Sequence, residues 1–249
     1  MDSCSCLFPV GCHMRITLAF ICFIVLSAIF TSASLSDVVV YDIVTLKGRE
    51  VILKAETRGT MLSKGGELVE FFVNGKSIGK NLSGGDGFAV KRFVPLKAGL
   101  NKILVKSGDD KDSGVLLALP KNAKIVFVDV EGSLLEGPFA IAAKPGSRKA
   151  LEKIQKRFPM VFLKKGFLNV KAIRSWLKNN DFPDAPVLPW SRGAVFDELK
   201  EKDLKIKAII GAPDVIESAE SYKPRAFSFD SVEDAEVVEN WEEIEKKLR

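Results

Sequence analysis

The chain has 249 residues, 47% apolar and 28% charged, with 37 Lys and Arg against 32 Asp and Glu. This composition belongs to a folded globular body and excludes disordered and fibrous classes. The lysines are spread along the chain rather than clustered, which reads as a solvated surface and gives no footprint for nucleic acid.

Residues Ile16 to Phe30 read ITLAFICFIVLSAIF without a charge, after Met14-Arg15 and before Thr31-Ser32-Ala33. A basic flank, an apolar stretch short for a bilayer and small residues at a cleavage point describe a secretory signal ending near Ala33. Left uncut, the same segment is an N-terminal anchor. In both cases the body, which keeps the net charge of +5, is expected outside the cytoplasm: periplasmic, secreted or membrane-anchored.

All four cysteines (Cys4, Cys6, Cys12 and Cys22) and the single histidine, His13, lie within or before this leader. A body without either residue has no structural disulfide, no Cys or His zinc site, no thiol nucleophile and no histidine acid/base. Its chemistry is left to carboxylates, hydroxyls, lysines and arginines.

Between residues 37 and 119 the runs VVVYDIV, EVILKAE, ELVEFFV, FAVKRFVPL, NKILVKS and GVLLAL alternate with Gly, Asn, Asp and Ser. Six or seven short strands in some eighty residues predict a small all-β sandwich of immunoglobulin-like type, without the buried Trp and paired Cys of antibody domains. Asn74-Gly75 is a two-residue hairpin signal, since both positions accept positive φ. The sandwich reads as structural or adhesive, a surface for a protein partner. Pro120 to Ala123 is a linker too short for the halves to swing freely.

From Lys124 to Arg249 the period changes. Lys124 to Val128 is a continuous apolar strand, and Ser147 to Phe158 is an amphipathic helix turning Ala150, Leu151, Ile154 and Phe158 inward. Further strands are expected at 160–163, 185–188, 207–210 and 225–229. Helices are expected at 170–179, 196–202, 214–222 and from about Val232, the last burying Val237, Val238, Trp241, Ile244 and Leu248. Alternation of strand and helix predicts a three-layer α/β domain on a mainly parallel sheet.

Ligands of parallel sheets sit beyond the carboxyl ends of the strands, where this chain has Asp129-Val130-Glu131-Gly132-Ser133. Strand, Asp, any residue, acid, Gly and hydroxyl together resemble the first motif of haloacid dehalogenase-type (HAD) phosphatases. The stretches Lys144-Pro145-Gly146, Ile173 to Leu177 and Phe182 to Leu188 resemble the branch holding lipin, Nir and actin-patch phosphatidate phosphatases. The resemblance implies a Rossmannoid HAD-like domain, with Asp129 as nucleophile, Glu131 as acid/base, and Mg2+ held by Asp129, the Val130 carbonyl and Asp214. It also implies phosphate binding by Lys164, Arg192 and Lys200.

The later motifs depart from that family: Lys164 stands where a Ser or Thr belongs, Gly193-Ala194 where a Lys belongs, and Ala212 where an Asp belongs. Two readings follow. In the first, favoured by residue chemistry, the domain is a degenerate, non-catalytic relative binding an anionic ligand, phosphate-bearing or lipid among them, or a partner. There, the Lys164 ammonium takes the electrostatic place of the metal beside Asp129 and Glu131. In the second it is a Mg2+-dependent phosphomonoesterase. A polar strand end capping the next segment is the plain alternative to both.

Overall fold

Val38, Val39 and Val40 are buried, but the apolar run they begin does not continue as one strand. It breaks at Tyr41 and Asp42 into β1 (Asp37–Val40) and β2 (Ile43–Leu46). β1 pairs antiparallel with β3 (Val51–Arg58), and β2 pairs parallel with β8 (Asp110–Leu119), so the chain changes sheet at Asp42. The computed structural model describes residues 37–59, 62–137, 142–166 and 168–249, and the expected leader lies outside them. No helix among the described residues is long and apolar enough to cross a membrane.

The remaining strands of the first half are β4 (Leu68–Val73), β5 (Lys76–Leu82), β6 (Phe88–Phe93) and β7 (Gly99–Ser107). They form two sheets, β1-β3-β6 and β2-β8-β7-β4-β5. Alternation sorts the side chains: Val69, Phe71 and Val73 of β4 point into the core with Leu53, Ile103, Val105 and Leu116, all buried. Asn74 and Gly75 turn β4 into β5 with φ of 50° and 81°. β5 is the strand that the apolar pattern missed. Its sequence KSIGKNL lies at a sheet edge with little to bury, and Lys76 and Lys80 are the charges that keep such an edge from pairing with other chains.

The second half starts with β9 (Lys124–Asp129), which is buried on both faces from Ile125 onward. Val126 and Val128 pack with Leu151, Ile173 and Ile244; Ile125 and Phe127 pack with Phe196, Leu199 and Val215 on the other side. The helices behind those contacts are α1 (Ser147–Gln155), α2 (Val170–Asn179), α3 (Ala194–Glu201), α4 (Pro213–Glu217) and α5 (Trp241–Lys247). With β10 (Met160–Lys164), β11 (Val187–Pro189), β12 (Lys205–Ile210), β13 (Arg225–Ser228) and β14 (Glu236–Val237), the sheet order is β11-β10-β9-β12-β13-β14, every pairing parallel. With fourteen strands against five α-helices among the described residues, the chain is largely β.

Three expected helices are shorter than their sequence pattern. α1 ends at Gln155 rather than Phe158, and Phe158 packs half-buried against the core. α4 stops at Glu217, where the Ser218 hydroxyl donates to the Val215 carbonyl at 2.7 Å and a separate short turn, Glu220–Tyr222, follows. The final helix starts at Trp241 rather than Val232, because the Asn240 side chain accepts from the Glu243 amide as its N-cap and the Val238 amide extends the sheet to the Ser228 carbonyl. Val237 is therefore half exposed, at 53%, while Val238, Trp241, Ile244 and Leu248 are buried.

Residues 37–249 form one compact unit. Its two halves meet at Arg174 of α2, whose Nη1 donates to Asp42 Oδ1 at 2.8 Å and to the Val40 carbonyl at 3.0 Å, and whose Nη2 donates to Asp112 Oδ2 at 2.6 Å. Asp42 also accepts from the Val115 and Val187 amides, so one carboxylate ties β8, α2 and β11 together.

Candidate functional site

The order of the parallel sheet reverses between β9 and β12, and the crevice at such a reversal is where ligands of this architecture bind. Asp129 ends β9, and Gly211-Ala212 follows β12. The turn Val130–Leu134 then closes over the strand ends. It is stapled by the Ser133 hydroxyl donating to the Asp129 carbonyl and by the Trp241 indole donating to the Ser133 carbonyl at 3.2 Å.

Close approach rules the crevice. A Cβ on Gly132 would lie 2.2 Å from Asp129 Oδ2, and one on Gly211 would lie 2.8 Å from the Asp129 Cβ. The two glycines let the backbone wrap the carboxyl group. Asp129 is 0% exposed; its Oδ2 accepts from the Ala212 amide at 3.2 Å, and its Oδ1 has no partner among the described residues. Burial pushes this carboxyl up, the Gly132 and Ala212 amides and the Lys165 ammonium pull it down, and Glu131 pushes it up again.

Glu131 is held differently. Its Oε2 accepts from the Lys165 amide at 3.0 Å and its Oε1 from the Gly166 amide at 2.8 Å. The carboxylate works as a two-pronged clamp on the loop after β10. Lys165 in turn sends its ammonium to both oxygens of Asp214, at 2.8 and 2.9 Å.

The ammonium expected beside the two acids is thus not that of Lys164, which donates to the Gly166 carbonyl at 2.6 Å; the neighbouring Lys165 acts on Asp129. The loop after β10 folds back on Glu131, and this fold brings residue 165 to the crevice. Arg192 is exposed between β11 and α3 with φ of 51°. Lys200 sits in the last turn of α3 over the Tyr222 ring, 5.5 Å from its centroid. A helix returning between parallel strands ends at their amino edge, so Lys200 is at the opposite end of the sheet from Asp129. Asp129, Glu131 and Asp214 are brought together through Lys165; Arg192 and Lys200 are not part of that network.

Magnesium takes near-octahedral oxygen donors with several waters. The residues present do not fit it. Asp129 is fully buried, the Val130 carbonyl accepts from the Leu135 amide at 3.3 Å, and Asp214 is engaged by Lys165. Among the described residues no group of three or more His, Cys, Asp or Glu could hold a metal ion. The arrangement closes the carboxyl end of the sheet with carboxylate–amide bonds.

The polar cluster that the sequence did not announce is the one at Arg174. Its signal was a charge on the buried stripe of α2, between Ile173 and Leu177, together with an Asp inside the apolar run VVVYDIV.

No model of a protein family matches the chain, and no curated protein matches it. Among solved structures, the D0-D1 domain of intimin matches with 8% identity and a TM-score of 0.29, over 34% of this chain and 49% of that one. Fibronectin(III)-like modules of Clostridium thermocellum CbhA match with 18% identity and a TM-score of 0.26, over 35% and 48%. The CARDB domain of PF1109 from Pyrococcus furiosus matches with 12% identity and a TM-score of 0.26, over 34% and 92%. The chain thus spans about half of the first two and a third of its own length is matched. The expected haloacid dehalogenase and phosphatase membership is overturned: the neighbours are immunoglobulin-like, fibronectin-like and CARDB β domains, and no phosphatase is found among the matches.

Proposed function

We propose that this protein is exported and non-catalytic, a binding body for an anionic ligand or a partner, with the acids at the strand ends serving as a structural knot. The observation that carries this reading is the engagement of Glu131: both oxygens are taken by backbone amides, at 2.8 and 3.0 Å. An acid/base must be aimed at a substrate proton, and a nucleophile needs an open approach. The two amide bonds turn the Glu131 carboxylate onto the loop after β10, and the fully buried Asp129 offers no open approach. The segment 14–33 supports the exported location.

The test is direct. The purified protein should hydrolyse a generic phosphomonoester no faster than its Asp129→Asn variant, and Mg2+ should leave its melting temperature unchanged, since a ligand stabilises only by binding the native state. Turnover dependent on Asp129 would overturn the reading. Intact mass should place the secreted form's first residue after Ala33 or show the leader retained on a membrane fraction; full-length protein free in the cytosol would refute export.

A further inference from the structure

At the junction of the two halves a cleft of about 330 Å³ opens between the β7–β8 face and α2. Its volume lies at the small end of ligand sites, which favour junctions of this kind. Leu177 and Phe182 form its apolar floor, and both are more than nine-tenths buried. The mouth is of another character. Leu100 is 44% exposed there, and Lys102, Lys178 and Asp184 stand around it.

The charges decide what the cleft selects. Arg174 also borders it, but its guanidinium is committed to Asp42, Asp112 and the Val40 carbonyl. Lys102 and Lys178 take part in no ion pair among the described residues, and neither does Asp184. Among the exposed groups of the mouth, two ammoniums against one carboxylate leave a surplus of one positive charge; the largely buried Arg174, paired with two carboxylates, adds none to it. A monoanionic head on a straight apolar chain complements that surface: the head meets the lysines, and the tail covers the exposed Leu100 and reaches the edge of the floor at Leu177 and Phe182.

We infer that this cleft binds a small monoanionic amphiphile, with Lys102 and Lys178 receiving the head group and Leu177, Phe182 and Leu100 the chain. The inference rests on the binding reading above and supplies its ligand class. Trp176 reports on it, because its ring stacks on Phe182 with centroids 5.3 Å apart. A chain lying on Phe182 should therefore change the emission of Trp176.

The experiment titrates the secreted protein with decanoate below its micellar concentration, following tryptophan emission and calorimetric heat. Acetate, decyltrimethylammonium and anionic phospholipid vesicles are the other arms. Decanoate should bind saturably, acetate and decyltrimethylammonium should not, and Trp176→Phe should abolish the emission change while leaving the heat. The exposed pair Lys102→Glu with Lys178→Glu should weaken decanoate at least tenfold, and Leu100→Ser should weaken it less, each with the melting temperature retained. Equal affinity for decyltrimethylammonium, an unaffected double variant, or binding to vesicles without binding to monomeric decanoate would overturn the inference. Failure of decanoate with a silent hydrolysis assay removes the cleft alone. Asp129-dependent hydrolysis removes the non-catalytic reading whatever decanoate does.

Discussion

Among the described residues, Asp42 and Asp129 both have side chains withdrawn from water, and their surroundings differ. Asp42, between the halves, has both oxygens bonded, to the Val115 and Val187 amides and to Arg174. Asp129, at the strand ends, has one oxygen bonded to backbone and one with no partner among the described residues. Burial pushes both carboxyls up; at Asp42 the Arg174 charge is the strongest opposing pull, whereas at Asp129 it is the amides, with the Lys165 charge weaker. Equal burial does not mean an equal role. A buried acid with a guanidinium is a tie between structural elements. A buried acid without one is only tolerated, and tolerated best when neutral.

The largest effect is expected at Arg174. Arg174→Met keeps most of the side-chain volume but strands Asp42 and Asp112 in the junction, and removing one partner of a buried ion cluster costs about 3–5 kcal/mol. Denaturant unfolding should show that loss, and combining Arg174→Met with Asp42→Asn and Asp112→Asn should return a large part of it. A loss below about 1 kcal/mol would show that the cluster is solvated and ties nothing.

The Arg174 cluster also shows where the sequence stops being readable. The periodicity of β9 announces a strand buried on both faces, and Asn74-Gly75 announces a hairpin, because both signals are local. β5, the strand that this turn leads into, shows no alternation of its own, because an edge strand buries too little. The network of Asp42, Asp112 and Arg174 joins positions 62 to 132 residues apart, and no local pattern encodes such a pairing. At the strand ends the acids were found but their partners were not: Glu131 reaches 34 and 35 residues forward to two amides, and backbone amides carry no sequence signature. The family resemblance failed for a related reason. An Asp, an acid and a Gly after an apolar strand are also what a tight turn wrapped around a buried carboxyl requires, as the contacts of Gly132 demonstrate.

A smaller effect is expected at Glu131. Glu131→Ala leaves the Lys165 and Gly166 amides without their acceptor, and the loss of charge-assisted bonds at a half-buried site costs about 1–2 kcal/mol. Hydrogen exchange at those two amides should accelerate well beyond the change in global stability. Exchange that keeps to the global value would mean the clamp is not what orders the loop.

The smallest effect belongs to Asp129→Asn. The native carboxyl is held above its ordinary range, chiefly by burial. The folded state then keeps its proton to higher pH than the unfolded state does, so its contribution is fully present below the unfolded pKa and is lost as pH rises through the native one. Asparagine copies the neutral form, since its carbonyl can accept from the Ala212 amide where Oδ2 does now. The two proteins should be about equally stable near pH 3. With rising pH the wild type should lose ground, leaving the variant equal or more stable at pH 7. Stability curves measured across that range decide it, and a variant that is weaker at pH 7 but level with the wild type in acid would show the opposite sign. That result would mean that Asp129 is ionised in the native state and holds a positive partner, which would give it the same kind of role as Asp42.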